Sequence, residues 1–243
     1  MNIQELNQIQ KMALDNYSSS EPWPDNDNWH FYTNKILNRK VNELLVEYCA
    51  DDKVILNAGS GKTTYNTSAK IIYMDIVKEY IENFSDYIVG SVENIPLEDS
   101  SVDTIICVGS VLNYVDIQKA LSEFSRVLKD NGLLILEFER SNSAEFLFTA
   151  KYKKTIFQQE YCYNNQKHFL WMYDENFVEK LCDYYNLNCL YKYRFHVFSS
   201  LLYRLGIKEK RAAKYCFFDN ILQPISYTFS HNTIMILRKV IPS

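Results

Sequence analysis

Apolar residues recur along the chain with two periods, and the changes between them predict the elements. Ile3, Leu6, Ile9 and Met12 fall at helical spacing and predict an amphipathic helix over residues 3–13. Residues 18–28, polar and carrying Pro22 and Pro24, read as a loop, and the aromatic stretch Trp29-His30-Phe31-Tyr32 follows. A second helix then places Leu37, Val41, Leu44, Leu45 and Tyr48 on one face. Short runs of β-formers at 54–56, 71–74, 87–90, 104–108 and 133–138 predict five strands, with a helix near 77–84 between the second and third. The run at 104–108 is apolar throughout, as a strand covered on both faces requires. Asp116 suits the N-cap of a helix whose Ile117, Ala120, Leu121, Phe124, Val127 and Leu128 repeat at 3, 4 and 7. Gly132 suits the left-handed position that ends it.

Beyond residue 145 the pattern changes. A helix at about 174–186, an alternating stretch at 189–198, helix to about 222 and a last strand at 233–237 are expected. Residues 146–229 hold 22 of the 36 aromatic residues. Helix and strand alternating in this order predict an α/β fold with a doubly wound sheet. No repeat or linker interrupts it. The expectation is one domain over 1–243: a helical preface (1–50), a core (51–145), an aromatic segment (146–229) and the last strand (230–243).

Composition adds constraints. At 243 residues, 47% hydrophobic and 23% charged, the chain can bury a full core. The net charge of −4 divides into −11 over residues 1–145 and +7 over 146–243. Nucleic acid is therefore not expected against the first part, whereas the second could attract an anionic acceptor or simply the first part. Six cysteines without a Cys-x-x-Cys pair read as reduced thiols, with no metal framework. The first residues lack the pattern of a signal peptide, and no apolar run approaches the length that spans a bilayer. A cytoplasmic protein with no membrane contact is expected.

The candidate chemistry starts at residues 53–63, where a strand breaks into Gly59-Ser60-Gly61-Lys62-Thr63. Such a turn exposes backbone N–H groups at the start of the next helix. The second apolar run ends in Asp75, an acid able to accept both hydroxyls of a ribose. A nucleoside site follows. A phosphate-binding loop would need a glycine five residues before Gly61, where Leu56 stands, and a metal-binding acid after 104–108. A dinucleotide fingerprint would need glycine or alanine where Thr64 stands.

A third reading fits several segments at once. Residues 54–61 (Val-Ile-Leu-Asn-Ala-Gly-Ser-Gly), 72–75 (Ile-Tyr-Met-Asp), the loop from Gly90 to Asp103 and residues 126–137 (Arg-Val-Leu-Lys-Asp-Asn-Gly-Leu-Leu-Ile-Leu-Glu) follow in order. In these, over about residues 35–140, the chain resembles the class I S-adenosylmethionine-dependent methyltransferases. The resemblance implies a Rossmann-like, mostly parallel seven-stranded sheet with helices on both faces, an antiparallel last strand and a helical, aromatic cap. It implies S-adenosylmethionine as cofactor, held by Asn57, Ala58, Gly59, Ser60, Gly61, Asp75, Ile76, Ser91, Val92, Glu93 and Gly109. Asn57 stands where the family usually has a carboxylate, and Ser91 where it often has an acid. The function implied is methyl transfer to a nitrogen or oxygen of a small molecule or short peptide; the alternative is a cofactor-binding module or partner subunit without turnover.

Methyl transfer needs a positioned, desolvated nucleophile more than acid–base machinery. If a proton must leave, Tyr114, His30, His168 or His196 could accept it, Tyr114 and His30 being the catalytic candidates. Asn113 is placed to face the acceptor, and His231, at the start of the last strand, reads as structural. The acceptor pocket is expected between residues 146–229, the stretch 29–32 and the tip at 109–114.

Overall fold

A computed structural model of the chain describes residues 6–18, 28–49, 53–163, 166–220 and 227–241. Ile3, most of the loop at 18–28 and the helical stretch past residue 220 lie outside them. Strands β1 (Val54–Ala58), β2 (Lys70–Asp75), β3 (Tyr87–Val89), β4 (Val102–Cys107), β5 (Leu128–Glu139), β8 (Leu187–Phe195) and β9 (Asn232–Lys239) make one sheet, β6 (Ile156–Tyr163) and β7 (Gln166–Tyr173) lying outside it. Its order is β3-β2-β1-β4-β5-β9-β8. β9 is antiparallel to both neighbours, and the other pairings are parallel. This is the Rossmann-like arrangement expected from the resemblance.

Alternation along the strands divides the core into two layers. Leu56, Ile105, Cys107, Leu134 and Leu136 point to one face, where helices α4 (Ile117–Val127) and α5 (Glu175–Tyr184) cover them with Phe124 and Val178. Ile55, Ile106, Leu133 and Ile135 point to the other, under Leu37, Val41, Leu44 and Leu45 of α2 (Asn28–Tyr48). Tyr48, expected on that face, is exposed at the end of the helix. Asp116 caps α4 as predicted, accepting from the N–H groups of Gln118 and Lys119.

Several expectations are corrected. No helix connects β1 to β2; residues 61–69 run as turn and irregular chain. Thr63, Thr64, Asn66, Thr67 and Ser68 compete for backbone hydrogen bonds, and the span is too short for a stable helix. The helix near 77–84 shrinks to α3 (Lys78–Ile81). The left-handed residue after α4 is Asn131, at φ 62°, not Gly132. Gly132 is needed for close packing instead: a Cβ there would lie 2.7 Å from the Lys129 carbonyl oxygen and 3.0 Å from that of Asp103. Part of the aromatic segment is an antiparallel hairpin of β6 (Ile156–Tyr163) and β7 (Gln166–Tyr173), which the periodicity did not announce. The helical stretch after it breaks at Gly206, φ 85°, into α6 (Phe198–Arg204) and α7 (Glu209–Ala212), followed by a 3-10 turn over Ala213–Asn220. Its alternating strand ends at Phe195, because His196 takes a left-handed φ of 57°.

Among the described residues no helix is long and apolar enough to cross a membrane. Some of the positive charge beyond residue 145 is spent internally: Lys192 and Arg194, with Arg140, converge on the buried Glu175.

Candidate functional site

The carboxyl ends of β1, β2 and β4 open on a cavity of about 170 Å³. At its floor the chain leaves β1 through Gly59 (φ 71°) and Gly61 (φ 52°). The N–H groups of Gly59 and Ser60 donate to the Met74 carbonyl at 2.7 and 2.9 Å. The Gly61 N–H donates to Asp75 Oδ2 at 2.8 Å, and the Val77 N–H to Asp75 Oδ1 at 2.9 Å. Asp75 therefore organises the turn as well as lining the cavity, with acceptor capacity left on its carboxylate. Burial pushes its carboxyl up, opposed by the N–H bonds from Val77, Gly61 and Ile76. Asn57 Nδ2 donates to the Thr63 carbonyl at 3.2 Å, pinning the far side of the turn. A carboxylate could not make that bond, which is a physical reason for the amide at this position.

Asn57, Gly59, Ser60, Gly61, Asp75, Ile76, Ser91, Val92 and Gly109 all line this cavity. Ala58 and Glu93 do not. Ala58 is wholly buried in the core under α4, and Glu93 turns away to accept from Asn7 Nδ2 at 2.9 Å and the Asp116 N–H at 2.8 Å. The N–H groups of Gly109 and Ser110 are held by Glu137 Oε2 at 2.9 and 2.7 Å, and Asn232 Nδ2 donates to Oε1 at 2.7 Å. Burial pushes the Glu137 carboxyl up to about 7 against these bonds. Lys62, the lysine of the Gly-Lys-Thr string, lies with Nζ 5.5 Å from the centre of the Tyr80 ring. A nucleoside with a charged amino-acid tail suits this site: a buried acid for hydroxyls, apolar Ile76 and Val92 for a base, and a backbone-rich turn.

The sequence reading missed the cover of this cavity. Helix α1 (Gln8–Ser18) buries Gln10 and Ala13, and Gln10, Ala13 and Tyr17 all face the cavity. Gln10 Nε2 donates to Ser91 Oγ at 2.7 Å, the Tyr17 hydroxyl meets that of Tyr114 at 3.1 Å, and the Tyr80 hydroxyl donates to the Tyr17 carbonyl at 2.6 Å. The most buried face runs Leu6, Gln10, Ala13, while Ile9 and Met12 are only half-buried. A buried amide on that face hides it from any count of apolar residues.

A second cavity of about 130 Å³ adjoins the first, and Tyr17, Trp29, His30, Tyr114 and Glu139 line both. The remaining lining includes Glu145, Tyr161, His168, Leu170, Tyr203 and His231. The stretch 29–32, the tip at 109–114 and the aromatic segment are thus brought together around it. Trp29 and His30 belong to the first turns of α2, not to a loop before it. Burial pushes the Tyr114 phenol well above its ordinary value, helped by Tyr17 and Glu139, so it stays neutral. His196 reaches neither cavity: its ring is sealed between Thr33 Oγ1 (2.9 Å) and Ser199 Oγ (2.8 Å) and stacks on Trp29 at 4.3 Å. Asn113, also expected to face an acceptor, is fully buried as a clamp, donating to the carbonyls of Glu139 and Trp171 at 3.1 and 2.6 Å.

His231, read as structural, instead faces the second cavity. Its Nε2 lies 3.1 Å from Glu139 Oε2, and its Nδ1 lies 3.4 Å from Glu145 Oε2 and 3.1 Å from Ser143 Oγ. Burial would lower its pKa, but Glu139, Glu145 and Glu137 outweigh burial and raise it. Burial would likewise raise the Glu139 carboxyl, yet the charge and hydrogen bond of His231 and the Ser110 hydroxyl hold it below the usual range.

Residues 56–136 match the family model described as "Methyltransferase domain". Over 86 residues the chain is 36% identical to the ubiquinone/menaquinone biosynthesis C-methyltransferase of Campylobacter jejuni (strain RM1221), an overlap of 34% of this chain and 36% of that one. The match thus spans about a third of that relative's length. It is 27% identical over 156 residues to the malonyl-[acyl-carrier protein] O-methyltransferase of Yersinia pestis, covering 58% and 55% of the two chains. In fold it is similar to the 1,6-didemethyltoxoflavin-N1-methyltransferase of Burkholderia thailandensis, solved with bound 1,6-didemethyltoxoflavin and S-adenosylhomocysteine. That similarity has a TM-score of 0.60 at 11% identity and covers 96% of this chain and 89% of the other. Residues 56–136 are thus similar to a methyltransferase domain, and the sheet built around them has the fold of the class I S-adenosylmethionine-dependent methyltransferases.

Proposed function

We propose that this chain transfers a methyl group from S-adenosylmethionine to a small molecule held in the second cavity. The observation that carries the reading is continuity: five side chains line both cavities, so a ligand in one abuts a ligand in the other. Asp75 would receive the ribose hydroxyls, Ile76 and Val92 the adenine, and the Gly59–Gly61 turn the amino-acid tail. The cofactor supplies an electrophilic methyl on a sulfonium, whose C–S bond breaks as the acceptor's lone pair takes the methyl. The protein's part is to orient and to exclude water. Gln10 and Tyr17 close the first cavity from above, and Trp29, stacked on the immobilised His196, is a rigid wall for the second. Tyr114, neutral and hydrogen-bonded to Tyr17, orients the acceptor as a donor or acceptor of hydrogen bonds and is no base. His30, which lines both cavities, would stand beside the reacting atoms.

The test is a thermal melt. S-adenosylhomocysteine at a hundred times its Kd should stabilise the fold by about 2.7 kcal/mol through mass action, while ATP with magnesium should leave the Tm unchanged. Lys62→Ala should not alter either result. Stabilisation by ATP that Lys62→Ala abolishes, with none from S-adenosylhomocysteine, would replace this reading by that of a phosphate-binding loop.

A further inference from the structure

The second cavity has a charge of its own. Glu139 sits where the two cavities meet, its Oε1 accepting from Ser110 Oγ at 2.9 Å and its Oε2 facing His231. Glu145 accepts from the Tyr161 hydroxyl at 3.1 Å and approaches the same imidazole from its other nitrogen. Two carboxylates thus share one histidine. Burial pushes the Glu145 carboxyl up, opposed by His231 and the Tyr161 hydroxyl; a cation entering the cavity favours its ionised form, and with both acids ionised even a protonated His231 leaves the group with a net negative charge. No lysine or arginine is among the described residues lining either cavity. The rest of the wall is largely aromatic: Trp29, Tyr17, Tyr114, Tyr161 and Tyr203 line it with His30 and His168 beside Leu170.

On the methyltransferase reading, we infer that this cavity takes its acceptor as a cationic amine, a protonated nitrogen on a small apolar or aromatic body. An anion would have to approach two carboxylates in a site of low dielectric, where like charges repel far more strongly than in water. A neutral hydroxyl would leave the excess negative charge uncompensated. An ammonium group compensates it and gains from the ring faces as well. The amine then becomes a nucleophile as an N–H bond breaks, its electron pair stays on nitrogen, and the proton passes by way of the Glu139 carboxylate to the neutral His231 imidazole at 3.1 Å. Glu139, held below its usual range by His231, stays anionic to hold the ammonium, and His231, raised by its carboxylate neighbours, is the stronger base of the pair. Of the positive charge beyond residue 145, Lys151 acts on Glu145 from outside, but no described lysine or arginine lines the cavity, so the acceptor it selects is opposite in sign to the anion the overall charge suggests.

The test uses three probes of one shape: phenethylamine, phenethyl alcohol and phenylacetate. Each is titrated calorimetrically into the full chain at pH 7.5, with and without saturating S-adenosylhomocysteine. The amine should bind at least tenfold more tightly than the alcohol, and phenylacetate should not bind. Glu145→Gln, outside the cofactor cavity, should cut the amine preference at least fivefold and leave S-adenosylhomocysteine affinity within twofold. Binding of alcohol or acid as tight as that of the amine, binding of none of the three, or an unchanged preference in Glu145→Gln overturns the inference. If Glu145→Gln fails to fold, the wild-type comparison decides alone. Failure of S-adenosylhomocysteine to bind strikes the methyltransferase reading instead, and the titrations without it still decide the cavity's preference.

Discussion

Asp75→Ala is expected to weaken S-adenosylhomocysteine binding by at least tenfold, on the order of 1.5–3 kcal/mol. The Asp75 carboxylate already accepts backbone N–H groups from Gly61, Val77 and Ile76 and keeps acceptor capacity for the cavity. The substitution therefore removes the charge-assisted acceptor for the ribose and frees buried N–H groups at the turn. The second effect distinguishes this site from a simple surface contact. Asp75→Asn keeps one carbonyl oxygen and should lose less affinity, although its amide cannot accept from both N–H groups at once. Calorimetry on folded variants measures both; unchanged affinity in either would remove Asp75 from the site.

Gly59→Ala should cost about 2–4 kcal/mol of folding stability, from two separate sources. At φ 71° an alanine is strained, and its Cβ would stand 2.3 Å from Val111 Cγ2 and 2.9 Å from Cγ1. Val111 is β-branched and cannot rotate away cheaply. Gly206 supplies the control, since it has a similar φ of 85° with nothing within 4 Å of the added carbon. Gly206→Ala should therefore show only the backbone part, about 1–2 kcal/mol. Urea unfolding of the two variants separates strain from packing; equal losses would mean that Val111 accommodates the methyl group. The glycine at the cofactor turn is thus required by its protein neighbour before any ligand is considered.

How much of this was legible depends on where each signal lies. Strands β1, β2, β4 and β5 declared themselves because their apolar runs end abruptly in Gly59, Asp75, Gly109 and Glu139, which are also the cavity's floor. The residues around the first cavity were readable for the same reason. The covering helix was harder to place, because its buried face includes Gln10, a residue that serves Ser91 rather than the core. The hairpin β6–β7 was hidden differently. His168, Leu170 and Met172 are buried on one face, but Phe169 and Trp171 are half-buried on the other, so the period of two is blurred. The group Glu139, Glu145 and His231 is joined only by the tertiary fold, since the histidine enters with β9, 92 residues after Glu139. A faint signal existed: two acids, Glu137 and Glu139, end the apolar run that starts at Leu133, at the strand ends where such sheets hold their ligands.

The most direct test of the central claim is a crystal structure of the chain grown with S-adenosylhomocysteine. The account predicts the ligand in the cavity at the carboxyl ends of β1, β2 and β4, its ribose hydroxyls on the Asp75 carboxylate, its adenine against Val92, and its sulfur turned toward Tyr114 and Glu139. A ligand bound elsewhere, or seated there with its sulfur turned away from the second cavity, would contradict it.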